Sequence, residues 1–208
     1  MEEKDPADNG KDVEIREFEE KIQDIEKECE KSPSRIERGL VHIYYGDGRG
    51  KTSIALGTAL RASGYNLRTK VIQFMKGIPG LGESRAKLPN FEVKQFGIPE
   101  YLIDNEEVRK KQAVMAREGL KDALNSMNSG RYDIVVLDEA LYAVEFNVIS
   151  KEDVIEIIRA KPERVELIIT GGRNVPPEII ELADYVSHVV MERHPYNRGI
   201  KARPGIDF

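Results

Sequence analysis

The sequence predicts an α/β fold, a mainly parallel twisted sheet with helices on both faces, and three observations predict it. From Leu40 onward, short apolar runs alternate with segments of helical periodicity, as expected for strands joined by crossover helices. The first of these runs passes through a glycine-rich turn directly into an apolar helix. Another ends in two adjacent acids, at the strand end where a doubly wound sheet collects its ligands.

Residues 1–11, with Pro6 and Gly10 among polar and charged neighbours, have little to bury and are expected to be mobile. Between Asp12 and Lys31, Ile15, Phe18, Ile22, Ile25 and Cys29 recur at intervals of three and four, the stripe of an amphipathic helix that stops at Ser32-Pro33. Such a narrow stripe suits packing on the body, on a partner subunit or over a bound ligand. Residues 1–35 thus form an acidic N-terminal segment, and residues 36–208 a nucleotide-binding domain. Within that domain the predicted strands are Leu40–Tyr45, Thr69–Phe74, Asp133–Leu137, Val165–Thr170 and Val186–Met191, with a short one at Phe91–Val93. Helices are predicted at Lys51–Ser63, Glu106–Met127, Lys151–Ala160 and Pro177–Ala183. Gly64 stands where a helix commonly ends, and Ser150 where a cap belongs.

Composition narrows the function classes. With 208 residues, 40% hydrophobic and 33% charged, the chain can bury a core, which excludes global disorder. No stretch approaches the roughly 18 consecutive apolar residues of a spanning helix, and Met1 to Asp12 lacks the apolar centre of an export signal, so a soluble cytoplasmic protein is expected. A lone cysteine, Cys29, has no partner for an internal disulfide or a thiolate zinc site. The net charge is -5, yet the first 40 residues carry 14 acids against 8 bases, leaving a body of 23 acids and 24 bases. That near-neutral body argues against nucleic-acid binding, which calls for a basic surplus.

The most informative stretch is the strand Val41-His42-Ile43-Tyr44-Tyr45 followed by Gly46-Asp47-Gly48-Arg49-Gly50-Lys51-Thr52-Ser53. Glycines let successive N–H groups turn toward one anion, the helix adds its positive end, Lys51 a mobile cation and Thr52 a hydroxyl for Mg²⁺. A plain turn has no need of Gly-Lys-Thr at the helix start. The loop is shortened, however: three residues separate Gly46 from Gly50 where nucleotide loops usually have four, and Tyr45 stands where the first glycine belongs. Asp138 and Glu139 close an apolar strand and are placed to hold Mg²⁺ directly or through water. Arg173, in the glycine-containing loop after Thr170, lies either beside the nucleotide or in solvent, and the segment Lys76 to Glu83 is either a lid or a connector. His42 fits a packed strand position, and none of His42, His188 and His194 makes a metal site.

Gly46 to Thr52, Gln73-Phe74-Met75-Lys76-Gly77, Val136 to Glu139, Thr170 to Asn174 with Glu181 to Asp184, and the tail His194-Pro195-Tyr196 to Phe208 together resemble the P-loop family of cob(I)alamin adenosyltransferases. The resemblance covers nearly all of residues 36 to 208 and includes the shortened loop. It implies a RecA-like sheet, a homodimer, and transfer of the 5′-deoxyadenosyl group of ATP to reduced corrinoid cobalt with release of triphosphate. Cobalt(I) supplies the nucleophile, so an electron donor is implied as a partner. By resemblance ATP lies reversed on Gly46, Asp47, Gly48, Arg49, Gly50, Lys51, Thr52 and Ser53, with Arg173 nearby. Lys51 and Glu139 are then the catalytic residues, and Thr52 and Glu139 the Mg²⁺ ligands with Asp138 beside them. Family members use large aromatics under the corrin; the matching stretch here is Phe96-Gly97-Ile98-Pro99-Glu100-Tyr101, without tryptophan, which assigns Phe96, Ile98 and Tyr101 to the corrinoid face. The N-terminal helix matches in position one that covers a neighbour's corrinoid. Two rivals use the same loop: a P-loop ATPase or small-molecule kinase that cleaves the γ-phosphate, with Glu139 positioning water, and a nucleotide-binding regulatory module without turnover.

Overall fold

The computed structural model describes residues 15–25, 27, 35–100 and 105–208. The chain divides into two units, Met1–Ser34 and Arg35–Phe208. In the first, residues 15–25 form helix α1, on which Ile15, Phe18, Ile22 and Ile25 are exposed. Residue 27 is also helical, while Cys29 and the other residues of the predicted helix lie outside the described residues.

The second unit is a six-stranded sheet in the order β3-β2-β4-β5-β1-β6, every neighbouring pair parallel. Its elements are β1 (Val41–Tyr45), α2 (Lys51–Gly64), β2 (Thr69–Phe74), α3 (Gly82–Arg85), β3 (Phe91–Phe96), α4 (Glu106–Asn128), β4 (Ile134–Asp138), α5 (Ala140–Glu145), α6 (Lys151–Arg159), β5 (Glu166–Thr170), α7 (Pro177–Ile180) and β6 (Tyr185–His188). A 3₁₀ turn, Pro195–Arg198, follows in the tail.

The strands' period of two divides the core between the sheet's faces. Val41, Ile43, Ile72, Phe74, Val135, Leu137 and Ile169 pack with Ala116, Ala123 and Met127 of α4, Leu141 of α5 and Ile157 of α6. The alternate residues Val71, Ile134, Val136 and Ile168 pack against Ala55 and Ala62 of α2. β2 and β4 are buried along their whole length, as parallel strands covered on both sides must be.

Most boundaries fall within a residue or two of expectation. β3 is a full six-residue partner of β2 rather than a short fragment, because pairing with β2 supplies the hydrogen bonds that its alternating, half-exposed side chains do not announce. β6 ends at His188 rather than Met191, and α7 at Ile180 rather than Ala183. Ser150 caps α6 in a reciprocal box with Asp153. His42 differs from a plain core histidine: its Nε2 pairs with Glu166 of the adjacent strand β5. No helix among the described residues is long and apolar enough to cross a membrane.

Candidate active site

The parallel order brings the ends of β1, β4 and β5 to one edge of the sheet, and the loops leaving them build the site. At Gly46 the backbone turns into the left-handed region (φ 117), where a Cβ would lie 2.2 Å from the Val189 carbonyl oxygen. Only glycine fits that approach. The Gly46 N–H donates to the Gly172 carbonyl at 2.8 Å and the Gly48 N–H to that of Val189 at 2.8 Å. Asp47 Oδ1 accepts from the Met191 N–H at 3.0 Å. Gly46 and Asp47 thus frame the loop against its neighbours. The anion-facing donors are those at the start of α2, where the N–H groups of Lys51, Thr52 and Ser53 have no intrahelical acceptor and the helix dipole is positive.

Lys51 is buried and folds back on the loop, its Nζ donating to the carbonyls of Gly46 at 2.7 Å and Gly48 at 2.8 Å, with the Tyr142 ring 5.4 Å away. Burial draws its pKa below the ordinary lysine value, against the pull of Glu139, Asp47 and Asp138.

Asp138 ends β4 with no solvent exposure and is saturated by donors. Its Oδ1 accepts from Thr52 Oγ1 at 2.8 Å and Thr170 Oγ1 at 2.7 Å; its Oδ2 accepts from Lys76 Nζ at 2.6 Å and Gln73 Nε2 at 3.0 Å. Glu139 follows in the left-handed region (φ 64), unusual for a side-chain-bearing residue, and its N–H donates to Thr170 Oγ1 at 3.1 Å. That turn leaves its carboxylate 22% exposed at the cleft. Burial, then the charge of Asp138, raises the Glu139 pKa, while Lys76 and Lys51 pull it down.

The donor set fits Mg²⁺, which favours hard oxygens, few protein ligands, and phosphates and waters for the rest. Among the described residues no three His, Cys, Asp or Glu side chains cluster as a metal cage. Thr52 Oγ1 and the Glu139 carboxylate are the open oxygens. Asp138, already accepting four hydrogen bonds, orients Thr52.

Two hollows meet at this centre. A cleft of about 680 Å³ runs between Gly48 to Ser53, the segment from Lys76 to Phe91, and the tail residues Gly205 to Phe208. A cavity of about 320 Å³ is walled by Phe74, Met75, Val108, Tyr142 and Phe146, with Arg173 at its polar side. Lys76 and Glu139 line both. The tail is tied over the loop by the Arg49–Asp207 pair at 3.0 Å and by the bond from Arg49 to the Ile206 carbonyl, and Arg203 pairs with Asp207 at 3.1 Å.

Of the residues singled out in the sequence, Gly48, Arg49, Gly50, Lys51, Thr52, Ser53 and Glu139 line the cleft, with Asp138 directly behind Thr52. Arg173 lines the cavity rather than the cleft, its N–H donating to Glu145 Oε2 at 2.6 Å. Phe96 belongs to the core at 5% exposure, with Lys94 Nζ 4.8 Å from its ring centre, so it underlies the segment Gly97 to Glu100 instead of presenting a free face. Ile98 is half-buried, its N–H donating to Gln112 Oε1 at 3.3 Å. Tyr101 lies outside the described residues. Sequence reasoning did not assign Gln73, Lys76, Thr170 or Tyr142 to the site. A polar residue at or next to the end of a strand whose neighbours are buried is the signal for Gln73 and Thr170; Lys76 and Tyr142 carry no comparable signal.

Comparison with known proteins places this geometry in context. The family model for ATP:corrinoid adenosyltransferase BtuR/CobO/CobP matches residues 37–208. A corrinoid adenosyltransferase of Escherichia coli (strain K12) is 34% identical over 175 residues, covering 83% of this chain and 87% of that protein. The corrinoid adenosyltransferase CobA of Salmonella typhimurium is 34% identical, with the same coverage of 83% and 87%. Among solved structures, the genome packaging NTPase B204 from Sulfolobus turreted icosahedral virus 2, in complex with AMP, is similar with a TM-score of 0.38 at 12% identity, covering 73% of this chain and 74% of that one.

Proposed function

The chain belongs to the ATP:corrinoid adenosyltransferase family BtuR/CobO/CobP and is a corrinoid adenosyltransferase, and from that premise we propose how its site works. The triphosphate of ATP lies in the cleft on the α2 amides and Lys51, and the ribose 5′-carbon is carried toward the boundary with the second cavity. The observation that carries this reading is the pair of hollows sharing Lys76 and Glu139, which gives a leaving group and an incoming nucleophile separate approaches to one point.

In the transfer the cobalt(I) electron pair attacks C5′, the C5′–oxygen bond breaks, and its electrons leave on the triphosphate. Negative charge grows on that oxygen. Lys51 and the N–H groups of Lys51, Thr52 and Ser53 are preorganised donors for it, the arrangement that lowers a barrier most effectively. Thr52, oriented by Asp138, and Glu139 would hold Mg²⁺, which would further neutralise the phosphates. The corrinoid is received on the side of Glu100, with Arg173 and Tyr142 in the adjoining wall. An external one-electron donor brings the cobalt to its reduced state, and the enzyme works as a homodimer.

The test mixes protein, ATP, Mg²⁺ and a corrinoid reduced to cobalt(I), and follows the cobalt–carbon bond by absorbance and triphosphate by chromatography. Equal amounts of alkylated corrinoid and triphosphate are expected. Formation of ADP and orthophosphate without alkylated corrinoid overturns the proposal.

A further inference from the structure

Lys76 stands just past β2, after Met75 in the left-handed region (φ 54). Its Nζ lies 2.6 Å from Asp138 Oδ2, 3.4 Å from Thr52 Oγ1, and 4.0 Å from both Glu139 Oε1 and Glu83 Oε1. One monocation is therefore lodged between Asp138 and the two residues, Thr52 and Glu139, whose oxygens suit Mg²⁺. The other donors to Asp138, namely Thr52, Thr170 and Gln73, are side chains of core-facing strands or of the first turn of α2. Lys76 differs from them: its charge rides on a flexible four-carbon stem, is 20% exposed, and borders both hollows.

Two positive ions cannot share this space. A divalent charge entering beside the ammonium meets strong repulsion in a partly desolvated site. Removing the ammonium with nothing in exchange leaves the buried Asp138 carboxylate short of a counter-ion, which is as unfavourable. The alternative is exchange, and the stem of Lys76 has an exit along the cleft that holds the phosphates. Taking the cleft as the triphosphate site, as proposed for the adenosyl transfer, we infer that Lys76 is a placeholder cation: it neutralises Asp138 and Glu139 in the nucleotide-free protein, then turns to the triphosphate when Mg–ATP enters. There it joins Lys51 as a second cation on the departing oxygens, on the side nearer the reacting carbon. Electrostatics agree with the resting half of this cycle: burial works against the Lys76 charge, but Asp138 and Glu139 outweigh it and hold its pKa above the ordinary value.

The test reads cation binding without corrinoid. Mn²⁺ is titrated into the nucleotide-free protein and the free aqua ion is counted by electron paramagnetic resonance. Lys76→Gln, which keeps an N–H donor for Asp138 but no charge, and Lys76→Met are expected to bind Mn²⁺ about tenfold more tightly than the native protein. Lys76→Arg keeps the charge and is expected to bind it as weakly as the native protein. In the transfer assay Lys76→Gln is expected to lower kcat about a hundredfold while the KM for ATP moves by less than about threefold. Equal Mn²⁺ affinity in Lys76→Gln and native protein overturns the placeholder, and an unchanged kcat overturns the role on the leaving group. If Mn²⁺ binding follows expectation while the native protein forms no cobalt–carbon bond, the adenosyl-transfer reading fails and the placeholder stands.

Discussion

Glu139 concentrates the conflict between stability and function at the scale of a single residue. It is held in a left-handed backbone conformation, beside the buried Asp138, with its proton affinity raised by desolvation first and by that neighbour second. A carboxylate whose folded pKa exceeds its unfolded one contributes stability below the unfolded value, near 4.5, and loses it as the pH rises through the folded value. As the pH rises through that folded value, ionisation of Glu139 therefore weakens the nucleotide-free fold relative to a neutral isostere. Glu139→Gln should stabilise the protein by about 1 kcal/mol near pH 8, a rise of about 2–4 °C in Tm, with the gain fading at acid pH. The same variant should lose adenosyl transfer if Glu139 holds Mg²⁺ as proposed, because Gln keeps an oxygen but not the negative charge that binds the cation. Calorimetry across pH, set beside the transfer assay, checks both halves; destabilisation at pH 8 would count against this account of the strain. Asp138 and Glu139 were legible in the sequence as acids closing a strand, but their different employment was not. Spacing cannot report that four donors converge on Asp138 from three elements and the loop after β2 while its neighbour turns outward.

Elements were legible in proportion to how much local chemistry dictates them. α6 has a reciprocal cap at Ser150 and Asp153, acids in its first turn and Arg159 in its last, so its start could be read to the residue. Ser150→Ala should cost about 1 kcal/mol and lower Tm by about 2–4 °C. It should leave the transfer rate unchanged, since α6 lines neither hollow; thermal melts with parallel kinetics check this. By contrast α3, α5 and α7 are four to six residues long, and helices so short are set by tertiary packing rather than by propensity. α5 begins only because Glu139 adopts positive φ and Ala140, Leu141 and Ala143 pack inward, a sharp turn that an apolar count reads as continuation of the preceding strand. β3 was nearly missed for a related reason: its hydrogen bonds come from β2, and FEVKQF has only one buried side chain. The apolar cavity wall was illegible, because Tyr142 and Phe146 of α5 and its cap meet Val108 of α4 and Met75 after β2 only in three dimensions.

Across the whole molecule, the two ends of the domain's sequence close on one another. β1 begins the fold near its first residues, yet the loop after it is completed by residues 205–208, which line the cleft and grip Arg49 through Asp207 and the Ile206 carbonyl. Arg203 braces Asp207 from behind. These tail residues are exposed, so they add little to the core, and their value lies in what they cover. Two consequences follow from one geometry. The tail narrows the cleft, and it engages Arg49, a charge that the triphosphate would otherwise attract. Deleting residues 205–208 should therefore open the cleft and raise the KM for ATP about tenfold, with Tm falling by less than about 3 °C because no buried apolar side chain is removed. The milder Asp207→Asn separates the two consequences: it removes the charge partner of Arg49 and keeps the tail. If engagement of Arg49 is what matters, Asp207→Asn should lower the KM for ATP at low salt and lose that gain at high salt, where an exposed charge is screened. If closure dominates, Asp207→Asn should behave like a weak version of the deletion at every ionic strength. Steady-state kinetics on the two variants at two salt concentrations distinguish these outcomes, and a deletion that leaves the KM for ATP unchanged would show that the tail is not part of the nucleotide site.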